Sequence, residues 1–280
     1  MRIFNSISFV ILLTCYGVGS ANEADLQQQN FVDLTIYTEH FPPYNFQRQG
    51  TITGINVAIV REICEQVGID CQFVQLPWKR AYRMAEQNTS AGLVSVARLP
   101  ERESSFNWIG PLVSGQNCFY KLARRYDIVV NKANDLANYK LAVSKDNAYS
   151  AILTELGFVA GQNMLLVTSK IGVLDPFLSG RTDLLINSAT SIKAYVGSAN
   201  LSMHDIAPVF MLPQSKIASN YLALNLAVPD FQRQKMQLAL SNLRQANQLE
   251  KIRKSFFQQP KSQIPANVDS QLWEQCMVEN

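Results

Sequence analysis

The sequence lacks a strong charge imbalance and, beyond its first residues, a long apolar run. Its 280 residues carry 25 Lys and Arg against 22 Asp and Glu, a formal net charge of +3 without a basic stripe. We therefore expect no binding of nucleic acid through surface charge. No later segment approaches the roughly 20 apolar residues of a membrane-spanning helix. The sequence predicts a soluble chain.

Histidine is also scarce, which disfavours a metal site. The two histidines, His40 and His204, lie far apart, and the cysteines are too widely spaced for a typical zinc site. Both histidines are expected to be polar residues without a metal. No Ser/His/Asp or Cys/His arrangement is visible, so we expect no enzyme and no cofactor.

The N-terminal segment 1–21 is typical of a cleaved signal peptide. It has one basic residue, an apolar run over Ile7–Tyr16 and a small-residue end, so cleavage is predicted after Ala21 or Ser20. A retained anchor is an alternative, although the run has about half the required length. A lipoprotein attached through Cys15 is a second alternative, although Thr14 stands before it where a small residue would be expected. We expect an exported protein.

The four cysteines that follow this segment are predicted to form disulfides, because an exported chain enters an oxidising compartment. The candidates are Cys64, Cys71, Cys118 and Cys276. Three pairings are possible. A local Cys64–Cys71 bridge would join the end of a helix to the next strand, and would leave Cys118 to pair with Cys276.

Strands and helices are predicted to alternate along most of the chain. The first predicted series is Leu34–Tyr37, a helix ending at Gly68, Cys71–Leu76, Trp78–Gln87 and Leu93–Val96. The second is Lys140–Val143, Ser150–Leu156, Met164–Val167, Ile171–Leu178 and Asp183–Asn187. A strand over Tyr221–Leu226 and a long helix running toward Phe257 follow. This order predicts an α/β fold with mostly parallel sheets flanked by helices.

Six segments in this order resemble the family-3 extracellular solute-binding proteins, the periplasmic components related to polar amino-acid importers. They are TEHFPPYNF, TGINVAIVREICEQVGI, LPWKRAYRM, LPERESSFNWIGPLV, SGRTDLLINSA and YLALN followed by a long helix. Each is short, but their order and spacing together identify the family over nearly all of the mature chain.

The resemblance implies a type II periplasmic-binding-protein-like fold, in which two α/β lobes close on a ligand between them. The two hinge strands are expected near Asn117–Lys121 and Ser215–Asn220. Lobe 1 would then comprise residues 30–119 and 219–280, and lobe 2 residues 120–218.

The resemblance also implies that Arg102, in the LPER segment, holds a ligand carboxylate through a bidentate pair. The alternative is a surface arginine paired with Glu101 or Glu103. Arg98 lies close by in the sequence. Two such cations would favour an anionic ligand, unless Arg98 is simply solvated.

Aromatic and polar residues of lobe 1 complete that side of the predicted site. Phe41, Tyr44 and Trp78 are candidates for an apolar platform, with a core position as the alternative for the first two. Glu39 is a candidate partner for a ligand ammonium, or a capping or solvated residue. Ser95 is a further candidate ligand-binding residue.

Lobe 2 departs from the family pattern. Amino-acid binders usually have an aspartate after the GRTD strand, whereas this chain has Asn187 and Ser188. A neutral pair cannot offset a buried ammonium, so a standard α-amino acid is not the expected ligand. Asn147 and Tyr149 are candidate side-chain contacts, with helix capping as the alternative.

Three functions remain open. The first is a monomeric binding protein that delivers a small polar or anionic solute to the membrane permease of an ABC importer. The second is an orphan or sensory binding protein that presents its ligand-bound form to a membrane receptor. The third, less favoured, is a dehydratase-like enzyme with Glu39 as its acid.

Overall fold

The computed structural model describes residues 31–145, 147–213, 217, 219–257 and 269–277. The predicted signal peptide, residues 1–21, lies outside the described residues. Among the described helices, none combines the length and the apolar character needed to cross a membrane.

Strands and helices alternate along the chain. The strands are β1 (Leu34–Thr38), β2 (Phe46–Arg48), β3 (Thr51–Thr53), β4 (Cys71–Gln75), β5 (Ala91–Val96), β6 (Asn107–Ser114), β7 (Asn117–Leu122), β8 (Leu141–Ser144), β9 (Met164–Val167), β10 (Leu185–Ser188), β11 (Ile206–Met211) and β12 (Ser219–Leu224). The helices are α1 (Ile55–Val67), α2 (Trp78–Gln87), α3 (Ser150–Glu155), α4 (Leu174–Leu178), α5 (Ala189–Ser198), α6 (Asp230–Gln245), α7 (Gln248–Ser255) and α8 (Ser270–Met277).

The first sheet has five strands in the order β4, β1, β5, β12 and β6. Strands β4, β1 and β5 are parallel, whereas β12 pairs antiparallel with β5 and with β6. The parallel part is the βαβαβ unit predicted from the sequence, with α1 and α2 as its crossover helices. The antiparallel part brings in a strand from much later in the chain.

The second sheet has three antiparallel strands in the order β10, β7 and β11. Strands β8 and β9 pair in parallel, and a parallel bridge between Leu141 and Leu184 links β8 to the residue just before β10. The parallel part again corresponds to the predicted alternation of strands and helices.

Helix α1 shows how the sequence determines the local structure. Its buried face includes Ile59 and Ile63, and it ends at Gly68, whose φ of 78° is the left-handed cap conformation. Gly54 precedes it with φ 130°, and a Cβ at that position would collide with the carbonyl of Tyr44. Glycine is therefore required where the loop after β1 crosses the start of the helix.

Each sheet has its own apolar core. In the first sheet, α1 and α6 bury side chains such as Ile59, Met236 and Leu240 against the strands. In the second, residues such as Phe177 and Tyr195 pack around β7 and β10. Burial of these side chains, at roughly 25 cal/mol per Å² of apolar area, stabilises both halves.

Both disulfides are present. Cys64 at the end of α1 is bonded to Cys71 at the start of β4. Cys118 in β7 is bonded to Cys276 in α8. Of the three pairings that the sequence allowed, the structure has the one with a local bridge.

Between the strands that the structure describes, the chain passes from one sheet to the other in two places. Strand β6 ends at Ser114 in the first sheet and β7 begins at Asn117 in the second. Strand β11 ends at Met211 in the second sheet and β12 begins at Ser219 in the first. These crossings adjoin the predicted hinges, although residues 214–216 and 218 lie outside the described part.

Helix α8 differs from the sequence-based lobe assignment, which grouped residues 219–280 with lobe 1. Trp273, Cys276 and Met277 are buried in the core of the second sheet. The hydroxyl of Tyr120 in β7 donates a 2.7 Å hydrogen bond to the carbonyl of Cys276. The disulfide and this burial hold the tail on the second half.

Several other elements differ from the prediction. The long C-terminal helix is interrupted between α6 and α7, where Asn247 has the left-handed φ of 57°. Strands β6 and β11, the β2–β3 hairpin and helix α5 were not predicted. Strand β6 pairs with β12, and β11 pairs with β7. Both pairs are antiparallel and join segments that are distant in sequence, so local sequence patterns do not reveal them.

Candidate functional site

A cavity of about 570 Å³ lies where the carboxyl ends of the parallel strands of the first sheet meet those of the parallel pair β8 and β9. Glu39 follows β1, Gln75 ends β4, Lys145 follows β8 and Thr168 follows β9, and all four line the cavity. Open α/β sheets bind ligands at this edge because successive loops converge there. We call the side formed by first-sheet residues the first wall and the opposite side the second wall.

Arg102 and Trp78 form the charged and aromatic part of the first wall. The guanidinium carbon of Arg102 lies 5.2 Å from the centroid of the Trp78 ring and 5.9 Å from that of Tyr82. Nη1 donates a 3.4 Å hydrogen bond to the carbonyl of Ala97. The 3₁₀ turn over Pro100–Ser105 directs Arg102 into the cavity, where its fork can face a carboxylate.

Buried polar groups support the first wall from behind. Ser95 lies at a β-bulge of β5, and its φ of 66° is unusual for a residue other than glycine. Its hydroxyl accepts a 2.8 Å hydrogen bond from Asn56 Nδ2 and donates to Asn45 Oδ1. Asn45 in turn donates to the carbonyl of Glu39. This chain of hydrogen bonds fixes the loop that carries Glu39.

Asn147 and Tyr149 lie in the loop between β8 and α3 and belong to the second wall. Asn147 Oδ1 accepts a 2.7 Å hydrogen bond from the backbone N–H of Tyr149, and Nδ2 donates to the carbonyl of Ser144. Asn147 thus holds the loop in shape while lining the cavity. The Tyr149 hydroxyl donates to Asn117 Oδ1 at 3.0 Å, and burial raises its pKa above the usual range. It remains a neutral hydroxyl at physiological pH.

Asn187 and Tyr195 form the deepest part of the second wall. Asn187 lines the cavity with 4% exposure, and its Oδ1 accepts a 3.0 Å hydrogen bond from the backbone N–H of Ser188. Burial raises the pKa of Tyr195, and its contact with Asn187 offsets a smaller part of that rise. This part of the wall is polar but uncharged.

Lys170 was not among the residues predicted for the site. It follows β9 and its Nζ lies 2.9 Å from Glu39 Oε1, so it spans the cavity from the second wall to the first. Lys145 also lines the second wall. Both lysines follow the ends of strands, and this position was the signal that could have indicated a place in the site. Lysines are common in such loops, however, and nothing else in the sequence distinguishes these two.

The structure brings most of the predicted site residues together. Those that line the cavity are Glu39, Phe41, Trp78, Ser95, Arg102, Asn147 and Asn187. Tyr44, Arg98 and Ser188 lie outside the cavity lining.

Tyr44 and Ser188 are buried and contact each other. Their hydroxyl oxygens are 2.9 Å apart and join the first sheet to the second. Ser188 is also the N-cap of α5, because its Oγ accepts a 3.1 Å hydrogen bond from Ser191 N–H. These two side chains thus hold the halves together beside the cavity.

Arg98 is directed to the surface. Its guanidinium forms an ion pair with Glu103 and lies near the rings of Trp108 and Tyr221. The hydrogen bond to Glu103 raises the pKa of Arg98. Arg98 is therefore paired at the surface and lies outside the cavity lining.

Within the described ranges, no group of three or more His, Cys, Asp or Glu side chains is placed to hold an ion. His40 lines the cavity, and His204 lies in the 3₁₀ turn over Met203–Asp205 on the second half. The two histidines are therefore apart in space as well as in sequence.

Residues 34–259 match the family described as bacterial extracellular solute-binding proteins, family 3. A comparison with curated proteins found no match.

Solved structures match over most of their own length. An ancestral arginine-binding protein bound to arginine has a TM-score of 0.68 and 16% identity, covering 81% of this chain and 98% of that chain. The arginine-, lysine-, histidine-binding protein ArtJ from Geobacillus stearothermophilus has a TM-score of 0.66 and 17% identity, covering 82% and 97%. A histidine kinase sensor domain with similarity to periplasmic binding proteins has a TM-score of 0.68 and 19% identity, covering 81% and 96%. The predicted fold class, two α/β lobes of the type II periplasmic-binding-protein-like fold, is confirmed.

Proposed function

The chain belongs to family 3 of the bacterial extracellular solute-binding proteins, and from this premise we propose that it closes on a small, carboxylate-bearing solute. The solute binds between the two walls of the cavity and is delivered by the monomeric protein to the permease of an ABC importer. The signal peptide 1–21 directs the chain to the periplasm. Lobe 1 comprises residues 31–114 with 219–257, and lobe 2 residues 117–211 with the tail helix.

The position of Arg102 carries this proposal. Its guanidinium lines the cavity and packs over Trp78, which supports the fork in one orientation. A carboxylate can accept two parallel, charge-assisted hydrogen bonds from such a fork. The carboxylate end of the ligand therefore binds at the first wall.

The charge balance of the cavity supports an anionic ligand. Arg102, Lys145 and Lys170 line it, against the single carboxylate of Glu39 in the described lining. Glu39 is already bridged by Lys170. The excess positive charge is best offset by a ligand with one or two carboxylates.

The second wall has two lysines but no carboxylate among its described lining residues, which argues against a standard α-amino acid. Asn187 lies in the cavity near the position where the sequence resemblance implies an aspartate, and the neighbouring Tyr195 is a neutral phenol. An α-ammonium buried at this place would have no carboxylate to pair with, which costs binding free energy. Dicarboxylates such as succinate and glutarate fit the charge pattern better.

The proposal is tested by titrating the purified protein with succinate, glutarate, neutral sugars and α-amino acids in a calorimeter. We expect Arg102→Ala to weaken binding of the preferred carboxylate at least tenfold, which corresponds to about 1.4 kcal/mol. Arg98→Ala is the matched control, because it removes an equal charge four residues away that lies outside the cavity lining. Its binding should equal that of the wild type.

Equal losses in both variants would show that the effect of Arg102 is long-range electrostatics and would contradict the carboxylate role. Unchanged binding in a folded Arg102→Ala variant would contradict it as well. Incubation of the bound solute, followed by NMR, should show no conversion. Steady turnover would favour an enzyme.

A sensory role is the second candidate, since a histidine kinase sensor domain is among the structures with the same fold. Uptake of the labelled ligand by cells that lack this chain separates the two roles. Lost uptake supports delivery to an importer. Normal uptake with a lost transcriptional response would support presentation to a membrane receptor.

A further inference from the structure

Lys170 extends from the second wall into a pocket on the first. Its Nζ lies 2.9 Å from Glu39 Oε1, 3.6 Å from the centroid of the Phe41 ring and 5.9 Å from that of Trp78. The side chains of Lys170 and Glu39 are 25% and 11% exposed. Because the pair is largely removed from water, its attraction is screened less than that of a surface ion pair.

Glu39, Phe41 and Trp78 together form what we call the cation box. A carboxylate beside the faces of aromatic rings is an arrangement that attracts ammonium and guanidinium groups. A ligand with a cationic end would be held by the same three groups. In this chain the box is already occupied by a side chain of the protein.

We propose that Lys170 is a specificity-determining residue, which fills the cation box with the protein's own ammonium group and so excludes ligands with a cationic end. This inference deepens the proposed function and rests on it for the identity of the solute. A cationic ligand would have to displace Lys170 and leave a second positive charge beside its own. A ligand with a carboxylate toward Arg102 and a neutral or anionic far end meets no such conflict.

Lys170 comes from the wall opposite the cation box, so the exclusion of cationic ligands depends on closure of the two walls. The residue follows β9 in the second half, whereas the cation box belongs to the first. The box is therefore filled when the two walls come together. A cation bound in the box would keep Lys170 out and oppose closing of the walls.

The test uses n-butylguanidinium, a cation without a carboxylate, so that its binding does not require Arg102. We expect Lys170→Ala to bind it at least tenfold more tightly than the wild type does in calorimetric titration. The probe should also raise the melting temperature of Lys170→Ala, because it replaces the missing partner of Glu39 in the native state. Adding Glu39→Gln to Lys170→Ala should abolish both effects.

Lys145→Ala is the matched control, because it removes the same charge from the same wall without emptying the cation box. It should gain far less affinity for the probe than Lys170→Ala. An equal gain in both variants, no gain in Lys170→Ala, or wild-type binding as tight as that of Lys170→Ala would each overturn the inference.

Folding of each variant is checked by circular dichroism. If Lys170→Ala does not fold, Lys170→Ser, which is small and polar, takes its place in the same titration with the same criteria. Arg102→Ala in the Lys170→Ala background should leave the gain for n-butylguanidinium intact. A failed carboxylate site therefore shows in the dicarboxylate titrations, whereas a failed cation box shows in this one.

Discussion

The two walls of the cavity differ in chemistry and in how they are assembled. The first wall has a guanidinium, a carboxylate and aromatic rings, which lie in or directly after the elements of one βαβαβ unit. The second wall has Asn147, Tyr149 and Asn187 with two lysines, and it belongs to the half whose core includes the distant tail helix α8. Under the proposed function, the first wall would hold the ligand, whereas the second would select among ligands and complete closure.

The largest expected difference between the two halves is in the stability that each loses when its disulfide is removed. Cys118–Cys276 closes a loop with a sequence separation of 158 residues, and Cys64–Cys71 one of 7. Chain entropy predicts losses of about 5 and roughly 2.5 kcal/mol in the free energy of unfolding. We expect the Cys118→Ser/Cys276→Ser variant to be the less stable in urea unfolding.

The same experiment shows which half depends on its disulfide. Loss of Cys118–Cys276 should also release the tail helix, seen as faster hydrogen exchange around Trp273, which is 2% exposed in the native protein. The Cys64→Ser/Cys71→Ser variant is the control and should leave that region protected. A larger loss of stability in the control would contradict the proposed dependence of the second half on its tail.

A smaller change should make the second wall accept an ammonium. Asn187→Asp introduces a carboxylate in the cavity, where it can pair with the α-ammonium of an amino acid. We expect affinity for glutamate to increase about tenfold, or about 1.4 kcal/mol, while affinity for glutarate falls. Calorimetric titration with both ligands measures the two changes.

Ser188→Asp is the matched control for that change. It introduces the same charge one residue away, at the N-cap of α5 and outside the cavity lining. Aspartate is a good N-cap, so the helix start can tolerate it. An equal gain for glutamate at both positions would mean that the added charge acts at long range, which would refute a local ammonium site at Asn187.

The sequence predicted the elements of the first wall because their signals are local. Pro77 cannot continue a strand, and the spacing of Ala81 and Ala85 places both on one buried face, so the predicted helix Trp78–Gln87 has the bounds of α2. The resemblance to family 3 then placed Glu39 and Arg102 near one crevice, and both line the cavity.

The contacts between the halves could not be predicted, because they depend on pairs that are distant in sequence. Tyr44 and Ser188 were both expected to face the ligand, yet they bond to each other. Lys170 was overlooked because its partner, Glu39, lies on the other half. Local periodicity reports which face of an element is buried, but not which side chain from the other half meets it.

The smallest predicted effect concerns the hydrogen bond between Tyr44 and Ser188, which joins the halves next to the cavity. Tyr44→Phe removes one hydroxyl from a buried position and leaves Ser188 as the N-cap of α5. The expected cost is about 0.5 to 1.5 kcal/mol, which would weaken ligand binding roughly twofold to tenfold if the bond forms on closure. Tyr37→Phe is the control, since the Tyr37 hydroxyl faces Asn88 within the first half at 3.5 Å. If both variants bind the ligand equally, the Tyr44 contact does not contribute to closure, and the division of roles between the two walls would rest on Lys170 alone.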